Sequence, residues 1–309
     1  MRLVFFGNGT FGIPTLQALA TSVHEVAAVI TNPDKPAGRG HQLTPTPIKE
    51  AALKLGLPIW EVASPKDPTL PERLKGIGAH AFVVIAYRIL PRSIWEIPPF
   101  GALNLHPSLL PAYRGPAPIP WTIIHGETET GLSIFQINEG IDTGMLLYQE
   151  KYPLPETWSA GDLEHFLAEV GARAILQVLE GLALGTIRPF PQPDRPAAPY
   201  APKLTSANTR IPWDKPARTI YNLIRGLYPQ PLAWTTFQDR RLQVLRATYN
   251  PHRTLNAPPG TLYFEKDHLI TACLEGVIEL LEVRLEGRNA MSGADFAHGF
   301  LKKQTHRLI

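Results

Sequence analysis

Six prolines, at positions 189, 191, 193, 196, 199 and 202, fall within residues 186–206, and no regular core element can pass through them. In a helix interior each would remove a hydrogen bond and clash with the preceding turn, and in a central strand each would remove a ladder bond. The stretch is therefore expected to run extended, as a linker, and to divide the chain into residues 1–185 and 207–309. The 309 residues give each part a length close to the range of about 100 to 200 that a domain usually takes.

The two sides of that stretch differ in charge. Residues 1–202 carry 15 Lys+Arg against 18 Asp+Glu, a balance of −3, and residues 203–309 carry 15 against 9, a balance of +6. A basic last third points to a polyanionic partner for that part. The single cysteine, Cys273, excludes an internal disulfide framework and a Cys-based zinc site, and suits a reducing compartment, so the cytoplasm is expected. The longest apolar runs, near 26–30 and 81–87, fall far short of the roughly 20 residues of a membrane span, and nothing after Met1 is long enough for a signal peptide.

Residues 2–6 read as a buried strand that runs into Gly7-Asn8-Gly9-Thr10-Phe11-Gly12, with a helix expected over 11–21. The match to the dinucleotide fingerprint, with acidic Asp34 some way on, makes a nicotinamide oxidoreductase one reading. Two features favour a purely structural turn. Pro14 stands in the first turn of the helix, and Asp34 lies in a turn-rich loop, beyond the tip of the strand at 25–31. That loop, 32–47, holds four prolines and two glycines and is longer than the roughly 2 to 6 residues usual between a strand and a helix. Helices at 48–55 and 70–75 alternating with strands at 58–61 and 80–86 predict a doubly wound, Rossmann-like α/β sheet, whose ligands sit outside the carboxyl ends of the strands. After the prolines, a helix at 215–226 and short strands at 233–237, 241–248, 260–263, 268–272 and 277–283 predict a small β-barrel of oligonucleotide-binding type, with a solvated tail at 302–307.

Asn104-Leu105-His106-Pro107 ends an apolar segment, and residues two apart on a strand share a face. A neutral amide can donate to an oxyanion, and an imidazole moves a proton near neutral pH, so the pair suits acyl chemistry. Asp142, in Gly140-Ile141-Asp142-Thr143-Gly144, reads by itself as a turn residue satisfying its own backbone.

Asn104-x-His106, followed by Ser108-Leu109-Leu110-Pro111, Arg114-Gly115 and the Gly140 to Gly144 turn, resembles the signature of the folate-dependent formyltransferases. The second domain and the loop Asp34 to Gly40 are most similar to the branch of that family acting on methionyl-tRNA. The resemblance implies 10-formyltetrahydrofolate as co-substrate, initiator methionyl-tRNA as partner, no metal, and a monomer. It implies catalysis by Asn104, His106 and Asp142, with Asn104 and a protonated His106 stabilising the oxyanion and Asp142 favouring the charged imidazole. Folate contacts are implied at Ile85, Ala86, Tyr87, Arg88, Ile89 and Leu90, at Ser108, Leu109, Leu110 and Pro111, and at Gly140 and Ile141. Those to tRNA are implied at Lys35, Arg39 and Arg225. Relatives commonly have Ala-Tyr-Gly-Leu-Ile-Leu-Pro where this chain has Ala86-Tyr87-Arg88-Ile89-Leu90-Pro91, one residue shorter and with Arg88 in place of a small residue. A sugar-amine formyltransferase and a noncatalytic nucleic-acid-binding module are the other readings.

Overall fold

The computed structural model describes residues 1–37, 42–195, 198–301 and 306–309. By packing, the chain forms two units: Met1–Gly115 with Thr130–Tyr152 and Glu164–Tyr200, and Pro116–Glu129 with Pro153–Leu163 and Ala201–Ile309.

The first unit opens with β1 (Arg2–Gly7), α1 (Ile13–Ala20), β2 (Glu25–Thr31), a short pair β3 (Lys35–Ala37) and β4 (Gln42–Thr44), and α2 (Pro47–Lys54). There follow β5 (Ile59–Glu61), α3 (Leu70–Ile77), β6 (Ala81–Ile85), α4 (Arg92–Trp95) and β7 (Ala102–His106). After α5 (Pro118–Ile124), which belongs to the second unit, come β8 (Glu129–Gln136), β9 (Leu146–Pro153) and α6 (Ala160–Leu184). Among the described residues the sheet runs in the order β5-β2-β1-β6-β7-β8-β9, parallel as far as β7, with β8 antiparallel to it. Leu3 to Phe6 and Ala81 to Ile85 are buried throughout, as the continuous apolar runs of a sheet covered on both faces demand. From β1 the chain moves outward through β2 to β5, then returns to β6 on the other side of β1. The carboxyl ends beside that reversal, at Gly7, Ile85 and His106, are where a doubly wound sheet opens its cleft.

The glycine-rich turn after β1 is a packing device. A Cβ on Gly7 would come within 2.7 Å of the Phe5 ring, and one on Gly12 within 3.2 Å of both Phe5 and Ile48. Asn8 closes the turn by accepting from the Asn32 N–H at 2.9 Å, and Asp34 is engaged by the Lys49 ammonium at 2.7 Å. The loop expected to lack regular structure carries the β3–β4 pair, with Lys35 opposite Thr44.

In the second unit α7 (Ala217–Gly226) precedes β10 (Ala233–Phe237), β11 (Arg240–Asn250), β12 (Leu262–Glu265), β13 (His268–Ala272), β14 (Val277–Leu285), β15 (Met291–Ser292) and α8 (Gly293–Phe300). The antiparallel sheet runs β10-β11-β14-β13-β12, with β15 on β14. Its two edges are joined by the end of the chain: Thr236 and Ile309 exchange backbone bonds of 2.8 and 3.1 Å, while the Leu262 N–H donates to His306 at 2.9 Å and the Leu308 N–H to Gly260 at 2.8 Å. The tail expected to be solvated is thus an edge-closing segment at 306–309, and 302–305 lie outside the described residues. Helix α5 packs on α7, where a Cβ on Gly226 would lie 2.8 Å from Ile124. Sequence reading missed β15 and α8, although the Ser292 side chain, accepting from the Asp295 N–H at 3.0 Å, is a legible cap.

Candidate active site

Strand β7 alternates strictly, and that alternation aims the chemistry. Leu103 and Leu105 turn into the core, Leu105 against the bare Cα of Gly171 in α6 at a distance that leaves no room for a side chain there. Asn104 and His106 share the opposite face, Asn104 half-buried and His106 5% exposed. The imidazole Nε2 lies 2.9 Å from the carbonyl of Tyr113. A carbonyl only accepts, so Nε2 carries the proton and Nδ1 is the basic nitrogen. Nδ1 faces Asp142 Oδ2 at 3.8 Å, beyond hydrogen-bond length.

Burial holds the His106 imidazole below its ordinary value of 6.5; the Asp142 charge and the Tyr113 carbonyl act in the opposite sense, and Arg114 acts with burial. Burial thus favours the neutral imidazole at rest, while Asp142 and the Tyr113 carbonyl favour the charged form. The carboxylate is held apart from the ring by the backbone: Asp142 Oδ2 accepts from the Gly115 N–H at 2.8 Å. Asp142 itself stands at φ 53, a left-handed conformation that costs a non-glycine residue roughly 1 to 2 kcal/mol. Its carbonyl accepts from Arg114 Nε at 3.1 Å and from Gln192 Nε2 at 2.8 Å, which fixes the turn.

The residues expected at a folate divide by exposure. Ala86, Ile89, Gly140 and Ile141 are exposed, Ile89 by 81% and Ile141 by 55%, and so offer apolar surface at the carboxyl ends of the strands. Tyr87 and Leu109 are half-buried, whereas the side chains of Ile85 and Leu90 are core. Arg88 turns back onto its own unit, donating to the carbonyls of Ala63 and Val62 at 2.5 Å each and to the Tyr87 hydroxyl at 3.2 Å. That clamp is how the shortened segment accommodates an arginine. Ser108, Leu110 and Pro111 are buried in packing: the Ser108 hydroxyl donates to Ala112 at 2.7 Å, and Leu110 joins Phe135 and Leu146 in a small core. Ser133 and Gln149, which sequence reading missed, hold this segment, Ser133 by donating to the Ser108 carbonyl at 2.7 Å and Gln149 by donating to that of Leu110 at 2.9 Å.

Among the tRNA expectations, Lys35 is exposed on β3 and Arg39 lies outside the described residues. Arg225 is not a surface group. It is 7% exposed, donates to Asn222 at 2.9 Å and to the Trp158 carbonyl at 2.8 Å, and serves packing at the end of α7. The outward face of β10 and β11 carries what sequence reading overlooked: the Trp234 ring has Arg210 at 5.5 Å and Arg241 at 4.4 Å, and Trp234, Gln243 and Arg284 align across three strands. Beside them lies a groove of about 750 Å³ lined in part by Tyr228, Gln230, Leu245 and Arg284. Among the described residues no cluster of three or more His, Cys, Asp or Glu side chains is placed to hold a metal ion. No helix there is long and apolar enough to cross a membrane.

A half-buried amide, a buried imidazole and a carboxylate near the carboxyl ends of a doubly wound sheet are groups that an enzyme of acyl transfer can use. The chain belongs to the formyl transferase family: residues 1–179 match the formyl transferase domain and residues 203–301 the formyl transferase C-terminal domain. It is 42% identical over 300 residues to a methionyl-tRNA formyltransferase of Solibacter usitatus, covering 97% of this chain and 96% of that one. In structure it is similar to an N-formyltransferase from Helicobacter canadensis solved with folinic acid and dTDP-3-aminofucose (TM-score 0.68, 17% identity, 91% of this chain and 98% of that one). It is likewise similar to HypX from Aquifex aeolicus solved with tetrahydrofolic acid (TM-score 0.68, 18% identity), of which it spans about half, 98% of this chain matching 48% of the other.

Proposed function

We propose that this enzyme transfers the formyl group of 10-formyltetrahydrofolate to the free amino group of methionyl-initiator tRNA, with Asn104, His106 and Asp142 carrying the chemistry. The observation that supports it best is His106, its Nε2 on the Tyr113 carbonyl and its Nδ1 turned towards Asp142, sharing a strand face with the half-buried Asn104 amide. The amine attacks the formyl carbon and a tetrahedral oxyanion forms; Asn104 donates to that oxygen, and His106 Nδ1 takes the amine proton. The imidazolium so formed faces Asp142 at 3.8 Å, where an opposite charge stabilises it most when it appears. His106 then returns the proton to the leaving nitrogen as its bond to the formyl carbon breaks, leaving formylmethionyl-tRNA and tetrahydrofolate. The exposed Ile89 and Ile141 fit a flat pterin ring, which would cover them. The face around Trp234 and its arginines suits RNA, since arginine pairs with phosphate and an aromatic ring stacks on bases.

The test is formyl transfer from 10-formyltetrahydrofolate to charged initiator tRNA, with elongator methionyl-tRNA and a nucleotide-linked amino sugar as competing acceptors. Transfer to the sugar in preference to initiator tRNA would overturn the choice of acceptor, and no transfer to any of them would overturn the reading.

A further inference from the structure

The proline-rich stretch makes contacts that a linker has no reason to make. Leu146 and Phe190 exchange backbone bonds of 2.7 and 2.8 Å, which seats residue 190 beside the start of β9. Two residues on, the Gln192 amide donates to the carbonyl of Asp142 at 2.8 Å and to that of Gly144 at 3.0 Å, while its oxygen accepts from the Arg114 guanidinium. Farther along, the Pro199 carbonyl accepts from the Tyr113 N–H at 2.6 Å, and the Tyr113 carbonyl is the partner of His106 Nε2. One segment thus touches the supports of both halves of the catalytic pair. All of these residues lie in the first unit.

We infer that residues 190–192, together with Pro199 farther along, act as a strap that sets the distance between His106 and Asp142, with Gln192 as the positioning residue. The inference rests on the roles given to His106 and Asp142 above. Its physical basis is the left-handed backbone of Asp142, which persists only if its surroundings over-determine it. Gln192 supplies two of the bonds that do so, and it fixes the direction of the Arg114 fork that supplies another. Gln192 does not touch the reacting atoms; it acts through the Asp142 turn.

The substitution that isolates this is Gln192→Glu in the full-length enzyme. A carboxylate of the same shape keeps the contact with Arg114 but has no N–H to give the carbonyls of Asp142 and Gly144. Misplacement of a catalytic group by about 1 Å can cost on the order of a hundredfold in rate. The expected result is a ten- to hundredfold fall in kcat, with KM for the folate and for tRNA within twofold and only a modest fall in melting temperature. The decisive arm is the same substitution in an Asp142→Asn background. If Gln192 acts by placing the carboxylate, the second substitution adds less than twofold there. An equal loss in both backgrounds, or a wild-type kcat in Gln192→Glu, overturns the strap. A wild-type enzyme that transfers no formyl group overturns instead the functional reading beneath it.

Discussion

A base that waits neutral beside a carboxylate it does not touch gains its stabilisation only when a proton arrives. Burial lowers the His106 affinity for that proton and Asp142 raises it, so the two effects can be separated by substitution. The neutral form grows as pH rises through the folded value, which lies below 6.5, so the neutral base predominates at pH 7 and is lost on the acid side. Stability follows the same sign: between the folded value and 6.5 the unfolded chain binds more protons, and stability falls as pH drops through that window. The ring resonances of His106, followed by NMR across pH, should titrate below 6.5, and lower still in Asp142→Asn, where the opposing charge is gone. A shift upward in that variant would remove the assigned role of Asp142. Asn104→Ala should lose one oxyanion donor, about 3 to 4 kcal/mol or roughly 10² to 10³ in kcat, with folate binding retained. Asn104 and His106 stood out by type and spacing, whereas Asp142 was singled out only through the family resemblance. Tyr113 and Gln192 did not stand out, since a backbone carbonyl and an amide in a proline-rich stretch gain their roles only when the fold brings them to the site.

At the scale of elements, apolar periodicity revealed the strands of the first sheet and most of its helices, because buried strands admit little else. The β3–β4 pair and the strap escaped it, for proline and glycine mask short pairings that depend on partners elsewhere. Arg225, expected at the tRNA, is buried in the structure, a difference with a related cause: at the end of an amphipathic helix, sequence does not tell a buried guanidinium from an exposed one. Removing it takes a donor from the Trp158 carbonyl and from the Asn222 side chain, at about 1 to 3 kcal/mol for each buried polar group. Arg225→Ala should therefore lower the melting temperature while leaving KM for tRNA unchanged at temperatures where it is folded. A raised KM with undiminished stability would return Arg225 to the tRNA surface. Gly144, after the Asp142 turn, has no space for a Cβ, which would collide with the Gln136 carbonyl. Gly144→Ala should cost about 1 to 3 kcal/mol of overpacking in denaturant titration and slow transfer as well, because the turn that holds Asp142 must move.

Across the whole molecule, charge separates more cleanly along the chain than packing does. The balance changes from −3 to +6 at residue 202, yet 116–129 and 153–163 pack with the basic part. Sequence could not reveal that exchange, since α5 has the same apolar composition whichever core receives it. The +6 acquires a location in Arg210, Arg241 and Arg284 around Trp234, beside the groove with Tyr228. Each phosphate neutralised by such a side chain contributes roughly 0.7 to 0.9 to the log–log dependence of binding on salt. Arg241 is exposed on β11, and truncating it leaves the alternating burial of that strand intact. Arg241→Ala should raise KM for initiator tRNA, reduce the salt slope by about one such contact, and leave KM for the folate unchanged. The measurement is the initial rate against tRNA concentration at several salt concentrations, with Arg225→Ala as the buried control. An unaltered slope for Arg241→Ala would place the RNA on another face and leave the arginines around Trp234 as a solvated cluster.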